Sequence, residues 1–326
     1  MPDAEGPVDN GRPVKEVDAL AGVTRLALVD LPFAVDASMQ VSDSPRLYAA
    51  AAGGLGWRRA QLFAVGADGV TTDLIGDISA PARIGTAPEP LGSSGPHLID
   101  RQSALLVQMH NGNMHLNNAD HTQLLAGQNI AAIGGEIMQF GSATPIGDNR
   151  YILSHLLRGL GGTEQEMDGH LADEDFVLLD GVDLTEIEAR HYAPFQPIMI
   201  SVMGRGDDVP VSRSIDEPGR ALKPWSPVHP RFAFQPNGDL EIRWTRRSRA
   251  GLMWQDHVEI PLAEETERYR VLIGDQIWSE PAVPVAIISA TDVQTYRGLG
   301  ASSLSVAIRQ IGQHHISAPL LFEMEI

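Results

Sequence analysis

A chain of 326 residues, 43% of them hydrophobic, is long enough for two or three folded domains with ordinary cores. Its 42 acidic side chains against 24 Lys and Arg leave a formal charge of −18, which excludes a surface built to grip nucleic-acid phosphates, though not DNA passing nearby without sticking. There is no cysteine, so disulfides, thiolate catalysis and Cys-based metal sites are excluded, and packing alone must hold the fold.

The 32 Gly and 22 Pro are scattered rather than periodic, as punctuation between many short elements, and this favours β architecture. Met1 to Val17 is polar and acidic, without the basic and then apolar regions of a signal peptide. No apolar run approaches the roughly 18 residues that span a bilayer.

Residues 1–34 are expected to be an N-terminal lead ending in an edge strand, because Thr24 to Val29 stops at Asp30-Leu31-Pro32 and proline cannot donate to a ladder. Residues 35–203 read as one β-rich region with a sub-boundary near 90. Within it, Trp57 to Val65, the turn Ala67-Asp68-Gly69 and Val70 to Ile75 predict a hairpin, since Gly takes positive φ without a Cβ clash.

A second hairpin is expected around Asn111-Gly112, with His110 opposite Asn113 and Gln108 opposite His115. Asn129–Phe140 and Asn149–Leu157 read as strands separated by Gly141 to Gly147. Thr163-Glu164-Gln165-Glu166 has capping-box spacing and predicts a short helix toward His170. Phe176 to Leu179 then reads as a buried strand.

The stretch 204–230, with three or more Pro and Gly punctuating each end, is expected to be a linker. Beyond it, apolar residues alternate with period two at Leu240/Ile242/Trp244, Tyr269/Val271/Ile273, Leu304/Val306/Ile308 and Leu320/Phe322/Met324. Residues 231–326 are thus expected to form a sandwich of immunoglobulin-like or fibronectin type III-like kind, the second being preferred because the cysteine pair is missing.

Few constellations carry chemistry. His110, His115 and His121 are metal ligands by residue type, but two of them face different cross-strand partners and none has helical His-Glu-x-x-His spacing, so no metal is expected. Arg158-Gly159-Leu160-Gly161-Gly162-Thr163 lacks the Gly-Lys-Ser/Thr ending of a phosphate loop and reads as a strand-to-helix turn. Asp173, Glu174 and Asp175, near Asp180 and Asp183, read as a solvated acidic face.

Arg246, Arg247 and Arg249, flanked by Trp244 and Trp254, form the one basic cluster; these five are the candidate contact to a partner chain or anionic glycan through guanidinium–indole stacking. The equal alternative is a basic turn meeting Glu264, Glu265 or Glu267. For a receptor- or glycan-binding module, Trp225, Trp254 and Trp278 are the expected anchors. No nucleophile stands beside a base in a known context, and neither catalysis nor a cofactor is expected.

As whole strings, Gly135 to Phe140, Arg150 to Gly159, Gly162-Thr163-Glu164, His170 and Phe176 to Asp180 resemble the C-terminal part of the tail-tip hub protein of tailed phages and gene transfer agents. Asp30-Leu31-Pro32, Tyr48 to Ala51, Trp57 to Phe63, Leu125 to Asn129, Trp244 to Arg249 with Trp254, and Glu267 to Tyr269 extend the resemblance over most of the chain. It implies a non-enzymatic structural subunit of a tail tip or baseplate hub. Such a subunit is a homotrimer among other tail proteins, supports host attachment and DNA delivery, and is cytoplasmic before assembly. The family's N-terminal ring-forming and barrel-like regions have no counterpart in this sequence, and Leu160-Gly161 stands where a basic residue is common.

Overall fold

The computed structural model describes residues 20–34, 43–70, 72–95, 99–179, 183–250 and 260–326. The chain first lays down β1 (Arg25–Asp30) and β2 (Leu47–Ala52), antiparallel with Leu28 opposite Ala49. Next come β3 (Ala60–Val65) and β4 (Thr72–Ile78), joined by the expected Asp-Gly turn, where Gly69 takes φ +68° and the Asp68 carboxylate accepts the Val70 N–H at 3.0 Å.

The chain then leaves this pair of hairpins and builds a different body. The strands are β5 (Ile84–Ala87), β6 (Ile99–Asp100), β7 (Leu105–Met109), β8 (Ile130–Ile133), β9 (Glu136–Gly147), β10 (Arg150–Leu157) and β11 (Glu174–Leu178), with helix α1 (His121–Leu125) between β7 and β8. They run in the order β10-β7-β5-β11-β8-β9, and β9 pairs back to β10, so six antiparallel strands close a barrel with β6 added beside β10. Closure leaves those six strands without a free edge.

After the barrel the chain returns to finish what it began. β12 (Thr185–Ile187) pairs with β2, β13 (Ile198–Gly204) with β3, and β14 (Val211–Ile215) with β13. The sheets β1-β2-β12 and β14-β13-β3-β4 enclose Leu26, Leu47, Ala49, Leu62, Ile200 and Val202. The first domain is therefore a seven-stranded sandwich into which the barrel is inserted between β4 and β12.

β2 joins the two bodies. All six of its residues are buried, with Leu47, Ala49 and Ala51 facing the sandwich core and Tyr48, Ala50 and Ala52 the barrel core. A strand covered on both faces needs small side chains where the layers come closest, and the run of four alanines supplies them.

The C-terminal body holds β15 (Val228–Phe234), β16 (Leu240–Thr245), β17 (Tyr269–Ile273), β18 (Gln276–Ser279), β19 (Val285–Ile288), helix α2 (Ala290–Gly298), β20 (Ser303–Gln310) and β21 (Leu320–Glu325). A three-stranded sheet β15-β16-β19 faces a four-stranded sheet β18-β17-β20-β21, the fibronectin type III arrangement expected from the alternation. Trp244 meets Tyr269 edge-on in its core, ring centroids 5.1 Å apart.

Five expectations are corrected. The Asn111-Gly112 hairpin does not form, because both edges of β7 are already taken by β5 and β10; Asn111 instead accepts the Asn113 N–H and donates to the Gly53 carbonyl. Gly141 to Gly147 is not a break, since β9 runs through it and turns at Asp148 and Asn149, both with φ above +50° as a type I′ turn requires. Thr163 caps no helix with its side chain; its hydroxyl donates to the Leu160 carbonyl and accepts the Ile137 N–H, and Glu164–Met167 is a single 3-10 turn. The 204–230 stretch is no linker: it carries β14 and the start of β15, and its Gly219 and Arg220 N–H groups donate to the Asp30 carboxylate at 2.9 Å. Likewise, residues 1–34 and 35–203 do not divide as expected, because β1 pairs with β2 and the chain departs for the barrel after β4 rather than near 90.

The double burial of β2 yields a prediction. Replacing Ala50 by Leu should force the layers apart and cost about 1–3 kcal/mol, lowering the melting temperature in calorimetry. An unchanged transition would show that space exists there.

Candidate functional site

The most heavily buried polar chemistry lies at one end of the barrel. Glu136 opens β9 immediately after the Gly134-Gly135 turn, Arg158 follows the last residue of β10, and the antiparallel pairing of Leu157 with Gln139 brings those ends together. Both side chains are 0% exposed. Arg158 Nε donates to Glu136 Oε1 at 2.7 Å and its Nη2 to Oε2 at 2.7 Å, a bidentate fork, while Nη1 donates to the Gly92 carbonyl at 3.0 Å. Gly159, at φ +63°, adds its N–H to Glu136 Oε1 at 2.8 Å.

His170 completes the network. Its Nε2 lies 2.9 Å from Glu136 Oε2 and its Nδ1 2.6 Å from Glu174 Oε2, where Glu174 opens β11. With a carboxylate at each ring nitrogen the imidazolium is favoured, and the Glu136 hydrogen bond raises the pKa of His170 despite burial, with help from Glu174. Burial alone would raise the pKa of Glu136, but hydrogen bonds from His170, Arg158 and Gly159 hold it below the ordinary carboxylate range.

This arrangement ties together the ends of β9, β10 and β11 and the chain at Gly92. Glu136 and Arg158 expose no side-chain surface to a substrate, so the chemistry available to the network is structural: full satisfaction of buried charge. The sequence reading missed it, taking Glu174 as part of a solvated face. The available signal was that Glu136, Arg158 and His170 all lie within the resembling strings, the first two at strand ends where a charge is otherwise expensive to bury.

The five expected contact residues are separated by the fold. Trp244 is core, and Arg249 is buried with its Nε on Glu264 at 2.8 Å, Nη1 on the Ala221 carbonyl and Nη2 on the Ala263 carbonyl. Arg247 pairs with Glu164 of the barrel at 2.6 Å and stacks over Trp225, 5.0 Å from its ring centre. Arg246 donates to the Ile260 carbonyl at 3.0 Å, and Trp254 lies outside the described residues.

Trp244, Arg247 and Arg249 thus serve the core and the packing of the C-terminal sandwich on the barrel, not an open glycan surface; of the alternative acidic partners, Glu264 is the one used. Trp225 is covered by Arg247, and Trp278 donates to the Ile287 carbonyl at 3.1 Å. His110 follows β7, His115 lies in coil and His121 opens α1; burial, then the charge of Arg25, holds His110 down at about 4. Among the described residues no three His, Asp or Glu gather as a metal group, and no helix is long and apolar enough to cross a membrane.

Comparison with known proteins places one match on this site. The family described as Rcc01698-like, C-terminal, matches residues 82–177, which spans the barrel from β5 to β11 with all four members of the charge network. No curated protein matches the chain. Among solved structures, the FN1–FN3 domains of chicken CNTN1 are similar at 8% identity, covering 93% of this chain and 97% of that one with a TM-score of 0.21. The central fibronectin-III array of RIM-binding protein is similar at 12% identity, covering 74% and 70% with a TM-score of 0.20. At such scores the arrays do not superpose on this chain as wholes, and the assignment of the C-terminal sandwich stands on its own strand order.

Two outcomes follow from the network. Arg158→Met should cost about 3–5 kcal/mol in chemical denaturation, because it leaves the Glu136 charge buried and half-paired; a loss below about 1 kcal/mol would contradict this. As for pH, the contribution of Glu136 is present above 4.5 and lost as pH falls through its lowered folded value. That of His170 is full below 6.5 and lost as pH rises through its raised folded value. His170→Gln should therefore lose stability relative to wild type most at mild acid pH, with the difference shrinking on the alkaline side; a pH-independent difference would rule the imidazolium out.

Proposed function

We propose that this chain is a structural component of a phage-like tail tip or baseplate hub, a non-enzymatic subunit that supports host attachment and DNA delivery. The observation that carries the reading is the match over residues 82–177, for the Rcc01698-like family takes its name from a gene-transfer-agent-associated protein. That segment coincides with a body whose internal chemistry is architectural. The tail-tip strings noted in the sequence, Gly135 to Phe140, Arg150 to Gly159 and His170, supply Glu136, Arg158 and His170 to its buried network.

The physical character of the chain supports the same role. A barrel closed on itself offers no strand edge for uncontrolled pairing with neighbours in a crowded assembly. The charge of −18 keeps exiting DNA from adhering to the protein. In this role the subunit is particle-borne at the tail tip, acts as a homotrimer with other tail proteins, and meets the host surface through its C-terminal sandwich.

Immunogold electron microscopy of particles from the source strain, with antibody against residues 228–326, tests the proposal. Gold at the tail tip is the expected outcome. Intact particles without label, with the protein expressed and the epitope shown to be accessible, would refute it.

A further inference from the structure

Three parts of the molecule meet around a cavity of about 360 Å³: the turn after β10, the segment following β14, and the connection from β20 to β21. A second cavity of about 370 Å³ lies beside it, and the two share Glu166, Glu217, Arg220 and Lys223. Junctions between domains are where small-molecule sites preferentially form, and these volumes fall in that range.

The charges on the walls are unevenly spent. Arg220 is paired with Glu166 at 2.9 Å and Lys223 with Glu217 at 3.3 Å. Arg309, on β20, gives Nη1 to the Ser317 carbonyl at 2.9 Å and has no carboxylate within ion-pair reach among the described residues. The cavity thus carries two neutral pairs and one surplus guanidinium, in a protein whose overall charge is −18. Glu166 and Glu217 keep 46% and 69% of their side-chain surface exposed, so their oxygens can accept further hydrogen bonds.

We propose that this cavity is a binding site for a carboxylated saccharide of the uronic-acid type. The sugar carboxylate lies against Arg309 and Lys223, and the ring hydroxyls donate to Glu166 and Glu217. A phosphate or a polyacidic peptide brings more negative charge than the one surplus guanidinium answers, and few donors for the two carboxylates. A neutral sugar leaves the surplus guanidinium unanswered. Only a ligand with one carboxylate and several hydroxyls answers both features, and this holds whether or not the chain sits in a particle.

Titration calorimetry on the full chain with galacturonic acid tests the proposal, with galactose and a hexaglutamate peptide as comparisons. Expected are saturable binding of galacturonic acid, a loss of about tenfold or more in affinity with Arg309→Gln, and a loss of similar size with galactose. Lys223→Gln should weaken binding as well; it lies on a different segment from β20, so a local rearrangement there cannot account for both losses. Melting temperatures are measured in parallel to show that both variants fold. Absence of saturable binding, equal affinity for either comparison ligand, or unchanged affinity in folded Arg309→Gln would each overturn the proposal.

Discussion

The burial of β2 on both faces is the constraint from which the rest of the architecture follows. A strand with a core on each side cannot belong to one domain alone, so the sandwich and the barrel inserted into it share a layer. β1 beside it behaves the same way, sending Leu26 and Leu28 to one core and Ala27 and Val29 to the other. Because apolar burial on both sides is lost if either body opens, the two are expected to stand or fall together.

Within that frame, buried charge joins elements of the fold. Glu136, Arg158, His170 and Glu174 close one end of the barrel, and Arg247 to Glu164 and Arg249 to the Ala221 carbonyl fasten the C-terminal sandwich against it and the segment before it. Half-satisfied networks of this kind would destabilise a fold, whereas a fully partnered one specifies a single arrangement. A structural subunit of the kind proposed depends on that single arrangement.

Strand identity was largely legible in the sequence, because period-two alternation is a local signal: β16, β17, β20 and β21 all lie on the runs that predicted them. So was the Asp-Gly hairpin between β3 and β4. What stayed hidden was non-local. Nothing in Tyr48 to Ala52 announces that Thr185–Ile187 will pair with it across an inserted barrel of about a hundred residues. The Asn-Gly signal after β7 was overridden because other strands had claimed both edges of β7. Proline and glycine between 204 and 230 suggested a linker, yet Pro230 lies inside β15 and Gly204 closes β13, and nothing local announced the hydrogen bonds from Gly219 and Arg220 to Asp30. For the same reason the arginines near Trp244 looked like a surface cluster, although two of them find their partners far away in sequence, at Glu164 and Ala221.

Native-state hydrogen exchange, followed by mass spectrometry as denaturant is raised, tests the shared layer most directly. The account predicts that amides of β2, of β9 and β10 in the barrel and of β13 in the sandwich reach one common opening free energy and exchange together. Barrel amides that exchange at a clearly lower free energy, while β2 and β13 remain protected, would contradict it, because the inserted barrel would then be opening on its own.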